Sequence, residues 1–423
     1  MSSSQSQSLS PPGELRAVGL TALALVLFVA SWIALNHGWF SHEQIVDTPV
    51  YETYGDAMLD GHVPYRDFSV EYPPGALPAF VEPAVGNEGD ESGYKRSFQV
   101  LMAACGAALI IALAYALSAL GVSSAWFFGA IALAAIAPLL LGSVVLSRFD
   151  FWPAALTAGA LAALVSGRLR LGHGLLGAGI LAKVWPGVIV PLAVAYVWRS
   201  RGRREALICL GITALVVAAV VLPFVVLAPH GVWRSFERQL SRPLQIESLG
   251  ASLIVISHHI FGTGATMVSS RGSQNIGGTT ANVIGWFQTV VQLSALLLLW
   301  ITFALRRRTR DELLQFSAAA VVAFVALGKV LSPQFLIWLI PLVVLARRPS
   351  AMILFVVALV LTQAWFPQQY WGYALHFDEA VAWLVLARDV VLVGLLVVLV
   401  RPLLGAREEA EAHGRQQVSS SPA

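Results

Sequence analysis

Charged residues are scarce in this chain of 423 residues, because Asp, Glu, Lys and Arg together make up only 12% of it. A soluble domain carries roughly 25% charged residues, since its surface has to be wetted. With 57% apolar residues and a mean hydropathy of +0.72, the chain has too little polar surface to enclose its apolar part in water. The composition therefore excludes a soluble globular enzyme and a disordered protein.

Cysteine is also rare, since only Cys105 and Cys209 are present and both lie in apolar runs. Two such residues exclude a secreted disulfide scaffold, and we expect both thiols to be buried by packing. The net charge of +3 is small, so it gives no reason to expect a nucleic-acid partner.

Neither a metal site nor a nucleotide-binding loop is expected from the sequence. No His or Cys spacing resembles a zinc site, no glycine-rich loop would hold a nucleotide, and no Asp-x-Asp run occurs. The adjacent His258 and His259 are interpreted as loop residues and not as metal ligands. We therefore predict no metal and no other cofactor.

Long apolar runs are what the chain has in abundance. A bilayer core about 30 Å thick is crossed by roughly 20 apolar helical residues. The runs that reach or approach this length are Val18–Leu35, Phe98–Leu120, Ser124–Leu146, Phe151–Val165, Ala206–Ala228, Ile284–Leu305, Val381–Val400 and the shorter Met352–Phe366. The first run is too long, and too poorly followed by small residues, for a cleavable signal peptide.

Clusters of basic residues between these runs indicate the cytoplasmic side, by the positive-inside rule. They are Arg168 with Arg170, Arg199 to Arg204, Arg306 to Arg310, Arg347 with Arg348, and Arg401 with Arg407. An even number of crossings must then separate neighbouring clusters. The stretches 171–198 and 311–347 are too short for two full spans, so each is predicted to contain two half-length helices. The breaks fall at Lys183–Pro186 and Gly328–Gln334.

The resulting prediction is an all-α polytopic membrane protein with about 10–12 transmembrane helices, counting half-length helices. Residues 18–400 form the membrane domain, and the tails 1–17 and 401–423 are both cytoplasmic. The outer side receives an acidic loop, 36–97, and a second loop, 229–285. We expect the site to lie on this outer side of the plasma membrane, in contact with the lipid bilayer.

The acidic loop contains a predicted juxtamembrane helix. Thr48 is expected to cap it, with Pro49 in its first turn and Gly61 just beyond its end. The apolar stripe is formed by Val50, Tyr54, Ala57 and Met58, and a solvated acidic face by Glu52, Asp56 and Asp60. Asp47 lies at the start of this helix, where the helix dipole favours its charged form. It is either an ordinary loop acid or a catalytic carboxylate.

Lys183 and Lys329 lie at the two helix breaks within apolar sequence. An unpaired ammonium at membrane depth is unfavourable, so each lysine must meet water, an acid or an anionic ligand. One interpretation is a pair with an acid such as Asp150, or a side chain that extends outward to water. The other is a phosphate site of convergent cations that Arg148 joins, unless Arg148 instead pairs with Asp150 to close a turn.

These residues lie in a series of short motifs that resembles glycosyltransferase family 87, whose members are multispan enzymes of the GT-C fold. The motifs, in family order, are Asp47–Tyr51, Gly61–Tyr65, Glu71–Pro74, Arg148–Asp150, Lys183–Pro186, Glu247–Leu249 and Gly328–Gln334. The family includes α-mannosyltransferases that use polyprenyl-phosphate mannose. The resemblance therefore implies a GT-C-like bundle and a membrane glycosyltransferase.

The resemblance also implies a reaction and a set of site residues. A hexose, with mannose favoured, would pass from a polyprenyl-phosphate donor to a cell-envelope glycolipid, lipoglycan or polysaccharide, with inversion. Asp47 would be the general base, and Arg148, Lys183 and Lys329 would bind the donor phosphate. Weaker candidates for substrate contacts are Tyr51, Tyr65, Glu71, Tyr72, Asp150 and Gln334.

Two rival functions share these features. A secondary transporter also has broken helices and charges within the membrane, but it predicts internal repeats, and the sequence shows no long repeat. A lipid-linked oligosaccharide ligase, or a structural partner of such an enzyme, would have a similar composition. The charges at one side beside a large acidic loop favour the glycosyltransferase.

Overall fold

The computed structural model describes residues 11–41, 45–305 and 308–419, with side chains described as far as residue 401. The Ser- and Gln-rich residues 2–10 of the predicted cytoplasmic tail lie outside this part of the chain, as do Arg306 and Arg307 of the predicted basic cluster. The structure is 76% helical. The prediction of an all-α polytopic protein is confirmed.

The first half of the described chain holds nine helices. They are α1 (Glu14–Ala34), α2 (Thr48–Leu59), α3 (Pro78–Ala84), α4 (Glu91–Ala119), α5 (Ser124–Leu141), α6 (Phe151–Val165), α7 (Leu169–Ala182), α8 (Val190–Arg201) and α9 (Arg203–Leu227). Short 3₁₀ turns at Gly38–Ser41, Pro74–Ala76, Ser143–Leu146 and Trp185–Ile189 connect some of them.

The second half adds the remaining helices and one small hairpin. They are α10 (Pro229–Leu240), α11 (Leu249–Phe261), β1 (Met267–Ser270), β2 (Ser273–Ile276), α12 (Thr279–Ala304), α13 (Arg310–Ala326), α14 (Phe335–Ala346), α15 (Pro349–Gln363), α16 (Tyr370–His376) and α17 (Glu379–Ser419). The two strands pair antiparallel, with Met267 opposite Ile276.

Six helices in the described residues are long and apolar enough to cross a membrane: α1, α4, α5, α9, α12 and α17. In α9, only 6% of the most apolar 18-residue window is buried by protein. So much exposed apolar side chain requires a lipid environment, because water would penalise it over the whole length of the helix. The chain is therefore a multi-pass membrane protein.

The two predicted helix breaks are present. The first lies between α7 and α8, where Lys183 follows α7 directly, and the second separates α13 from α14. All residues of α14 are buried, and this helix packs against α13, α4, α5 and α6. Irregular backbone in a membrane protein is tolerated where protein covers it or a cavity adjoins it, and here α14 and most of α13 are covered by protein.

Helix α2 begins at Thr48 with Pro49 in its first turn, but Asp47 occupies the capping position that we assigned to Thr48. The predicted stripe is partly wrong, because Val50 is 46% exposed while Tyr51 and Gly55 are buried. The reason is that α2 packs on α3 and α4. A Cβ at Gly55 would lie 2.5 Å from the Phe80 carbonyl oxygen, so this contact requires glycine.

The interpretation of His258 and His259 as loop residues is wrong, because both lie in the last turn of α11. His258 Nδ1 is 2.6 Å from the Thr263 carbonyl oxygen, and His259 Nε2 is 2.7 Å from that of Phe377. They act as partners for the backbone where the helix ends. Both cysteines are buried, as expected.

Candidate active site

The start of α2 meets the turn before α6 through an ion pair. Arg148 Nη1 contacts Asp47 Oδ1, and the Tyr51 hydroxyl donates to Asp47 Oδ2 over 3.4 Å. The Ser147 hydroxyl donates to the Ile45 carbonyl, which ties the same two segments together. The possible pair between Arg148 and Asp150 does not form, because the guanidinium turns toward Asp47.

Asp150 instead pairs with Lys183, whose Nζ lies 2.7 Å from Asp150 Oδ1. The same oxygen accepts a hydrogen bond of 2.5 Å from Trp338 Nε1 of α14. Asp150 is 1% exposed, so the carboxylate is held where the end of α7 and the start of α14 meet. Of the interpretations left open for Lys183, the pair with Asp150 is the one present in the structure.

Aromatic rings surround the Lys183 ammonium. Its Nζ lies 4.7 Å from the ring centroid of Phe149 and 5.2 Å from that of Trp338. The rings of Phe335 and Tyr72 are 5.8 Å and 6.0 Å away. A cation near several aromatic faces is stabilised by their quadrupoles. This arrangement holds the ammonium beside the carboxylate in a mostly dry setting.

The Tyr72 segment closes one side of the cluster. The Tyr72 ring lies 4.8 Å from that of Phe149 and 5.9 Å from that of Tyr51. The Tyr65 hydroxyl donates to the Tyr72 carbonyl over 2.6 Å, so Tyr65 positions this segment. Glu71 accepts a hydrogen bond at its carbonyl from Gln239 of α10, and its carboxylate lies beside Gly272 of the hairpin.

Lys329 stands apart from this cluster. Its Nζ donates to the Leu240 carbonyl over 3.4 Å, and its own carbonyl accepts from the Gln245 amide over 2.9 Å. No carboxylate in the described ranges pairs with it. Gln334 directly precedes α14, and no hydrogen bond of its side chain to the Asp47–Lys183 cluster is found among the described residues.

Arg242 is a site residue that the sequence reasoning missed. It lies in the loop after α10 and interacts electrostatically with Tyr72, Glu71, Glu247 and Tyr370. Burial lowers the pKa of Arg242 from its usual value. A signal was present, because an arginine in a predicted outer loop runs against the positive-inside rule.

Glu247 lies in a further buried polar network beside Arg242. Gln245 Nε2 donates to Glu247 Oε2 over 2.5 Å and to the Ser332 hydroxyl over 2.8 Å. Arg388 of α17 donates to the Glu247 carbonyl over 2.7 Å and to Asp389 over 2.7 Å. Burial raises the pKa of Glu247 to about 7, although Arg388 opposes this shift. Through Ser332, the network connects the second helix break to the loop that carries Gln245 and Glu247.

Taken together, these features define an integral membrane protein with an enclosed ionic site where its broken helices meet. The model of glycosyltransferase family 87 matches residues 70–333, which is more than half of the chain, and the protein belongs to this family. It is therefore a membrane glycosyltransferase. No curated protein matches the chain.

The family match covers part of the site only. It includes Glu71, Tyr72, Arg148, Asp150, Lys183, Arg242, Glu247 and Lys329. Asp47, Tyr51 and Tyr65 precede it, and Gln334 and Arg388 follow it. Within the described residues, no group of three or more His, Cys, Asp or Glu side chains is placed to hold a metal ion.

Proposed function

We propose that this enzyme transfers a hexose from a polyprenyl-phosphate donor to a cell-envelope glycolipid, lipoglycan or polysaccharide on the outer face of the plasma membrane. Both termini would then lie in the cytoplasm. The observation that carries the proposal is the turn Arg148–Asp150, which contacts Asp47 at one end and Lys183 at the other. It joins a candidate base to a candidate phosphate-binding cation within one buried cluster.

Asp47 is the proposed general base. The acceptor hydroxyl oxygen attacks the anomeric carbon of the donor sugar, and its proton passes to the Asp47 carboxylate. The bond between the anomeric carbon and the phosphate oxygen breaks at the same time, and its electron pair leaves with the phosphate. Attack from the face opposite the leaving group inverts the anomeric centre, which agrees with the outcome implied by the family resemblance.

Cationic side chains would stabilise the lipid phosphate as it gains charge. Lys183 and Arg148 are the first candidates, and Arg242 joins them because it interacts electrostatically with Tyr72. Arg148 Nε is buried and has no hydrogen-bond partner among the described residues. These groups would supply the charge neutralisation that a metal ion supplies for nucleotide donors.

The remaining residues have peripheral roles in this proposal. Lys329 stays a proposed donor contact, although its ammonium reaches only the Leu240 carbonyl here. Tyr51 and Tyr72 would border the sugar, and Asp150 would orient Lys183. Tyr65, Glu71 and Gln334 would contribute to substrate binding indirectly, by positioning the chain segments in which they lie. Mannose is favoured only by the family resemblance.

The test uses the purified full-length protein in nanodiscs with a panel of polyprenyl-phosphate hexoses and a lipid extract as the acceptor source. We expect one donor to give a glycosylated lipid, identified by mass spectrometry and anomeric analysis, and Asp47→Asn to abolish the product. Transfer from a nucleotide sugar and from no polyprenyl-phosphate hexose would contradict the donor class. Transfer of a preassembled oligosaccharide would identify a ligase.

A further inference from the structure

Helix α10 presents three different faces. Val232 and Ser235 are buried against the protein, and the helix packs on α9. Trp233, Phe236 and Leu240 form an exposed apolar face, with Trp233 65% and Leu240 74% exposed. Such a face, in a helix that lies against a membrane-spanning helix, is typical of an interfacial helix whose apolar side enters the bilayer surface.

A third face of α10 is basic. Arg234 and Arg238 are exposed and lie one turn apart, and Arg242 follows shortly after the helix ends. Neither helical arginine forms an ion pair with a residue of the described chain. In the proposed orientation this loop is on the outer side, where arginines are disfavoured. Their charge complements an anionic headgroup at the level of the membrane surface.

A small cleft of about 50 Å³ connects this helix to the site. Phe236 and Val232 of α10 line it, together with Tyr72, Pro74 and Val184. Tyr72 is one of the rings around Lys183, and Val184 is the next residue in the chain. The cleft therefore lies between α10 and the Tyr72 segment, next to the chain position that follows Lys183.

We propose that α10 is the access surface for the lipid-phosphate donor. Its Trp233 face contacts the acyl chains of the outer leaflet, and Arg234 and Arg238 bind the lipid monophosphate headgroup before it reaches Arg242 and Lys183. This inference rests on the proposed function, because it takes the donor to be a lipid phosphate. It adds a binding surface that precedes the reaction.

The first test measures the depth of α10 in a bilayer and needs no substrate. Because Cys105 and Cys209 are buried, a spin label on Trp233→Cys, Leu240→Cys or Glu237→Cys reports one position in full-length protein in nanodiscs. We expect labels at 233 and 240 to collide preferentially with oxygen and the label at 237 with a water-soluble nickel complex. Equal exposure to the nickel complex at all three positions would overturn the inference.

The second test uses a photoreactive polyprenyl monophosphate without a sugar. We expect cross-links in α10, and saturation that is roughly three- to tenfold weaker in Arg234→Gln/Arg238→Gln, because two exposed charge contacts are lost. The matched control, Arg66→Gln/Arg96→Gln, removes two exposed arginines that lie outside α10, one after α2 and one in the first turns of α4. Inorganic phosphate should not compete, and equal competition by it would show a water-facing anion site and refute the proposal.

The two tests separate this inference from the proposed function. If polyprenyl-phosphate hexoses are turned over, but the α10 variant binds the probe like the parent, the access surface is refuted and the reaction stands. If the labels enter the bilayer and the probe binds through the arginines, but no polyprenyl-phosphate hexose reacts, the access surface is supported and the reaction is wrong.

Discussion

At the break between α7 and α8, Lys183 contacts a buried carboxylate and four aromatic rings surround its ammonium. At the break between α13 and α14, Lys329 reaches only the carbonyl of Leu240 at the end of α10. An unpaired charge in a membrane protein needs some partner, but the two partners differ in consequence. A carboxylate that is itself buried depends on its lysine, whereas a helix-end carbonyl can bond to water instead.

A lysine at a helix break therefore needs a partner, but its position alone does not identify its function. Lys183 is part of one ionic cluster with Asp47, Arg148 and Asp150. Lys329 lies outside this cluster, and its hydrogen bond to the Leu240 carbonyl links the second break to the end of α10. Four experiments can break or sharpen this contrast, and they run from the largest expected effect to the smallest.

Asp47→Asn removes the proposed general base from the ionic cluster that contains Lys183. We expect transfer to fall by about 10²- to 10⁴-fold, the usual contribution of a general base. Turnover of the purified variant in nanodiscs measures this, and a thermal unfolding scan shows that the fold is kept. The control is Asp67→Asn, an exposed acid of the same loop that pairs with Arg66. Equal losses in both variants would exclude a special role for Asp47.

Lys183→Met should lower both activity and stability, because it leaves the Asp150 carboxylate buried and unpaired. Breaking such a pair destabilises a protein by about 3–5 kcal/mol. The double variant Lys183→Met/Asp150→Asn should regain much of the free energy of unfolding but not the activity. Denaturation and turnover of both variants are measured together. Recovery of activity in the double variant would mean that Lys183 serves only to neutralise Asp150.

Glu247→Gln should change the pH dependence of stability. The pKa of Glu247 is raised by burial from 4.5 to about 7 in the folded protein, so the folded chain binds more protons than the unfolded chain between these values. Its contribution is fully present below about pH 4.5 and is lost as the pH rises through about 7. Melting temperatures from pH 4.5 to 8 should therefore decline less in the variant. Parallel curves would show that Glu247 does not titrate in this range.

Lys329→Met should have the smallest effect. Its loss removes one long hydrogen bond to a backbone carbonyl, and we expect transfer within about threefold of the parent, equivalent to less than ~1 kcal/mol. Initial rates at saturating and limiting donor concentrations would measure this change. A loss as large as that of Lys183→Met would abolish the contrast between the two breaks and make Lys329 as important for donor binding as Lys183.

Much of the fold could be predicted from the sequence, because a bilayer imposes local requirements. Apolar length marks the spans, and clusters of arginine mark one side. The break at Lys183 was predicted because the stretch 171–198 is too short for two full helices. The buried face of α2 was not, because it depends on where α3 and α4 lie.

The site was predictable in its residue types and less so in its contacts. Asp150 meets Lys183 over 33 positions of chain and Trp338 over 188, and no local pattern specifies such partners. Arg388 and Asp389 were passed over because they lie inside a run that hydropathy assigns to a span. Their burial as an ion pair explains how two charges remain in an apolar helix.

The hydrogen bond from Arg388 to the Glu247 carbonyl joins residues 141 positions apart, and it has a consequence for biogenesis. The chain is made from its N-terminus, so the loop that carries Arg242 and Glu247 is synthesised long before α17 can hold it. The network around Glu247 is therefore complete only after the last span has been inserted. A chain that stops after residue 333 would keep the whole region that the family model matches. It would lack α17, whose Arg388 bonds to the Glu247 carbonyl.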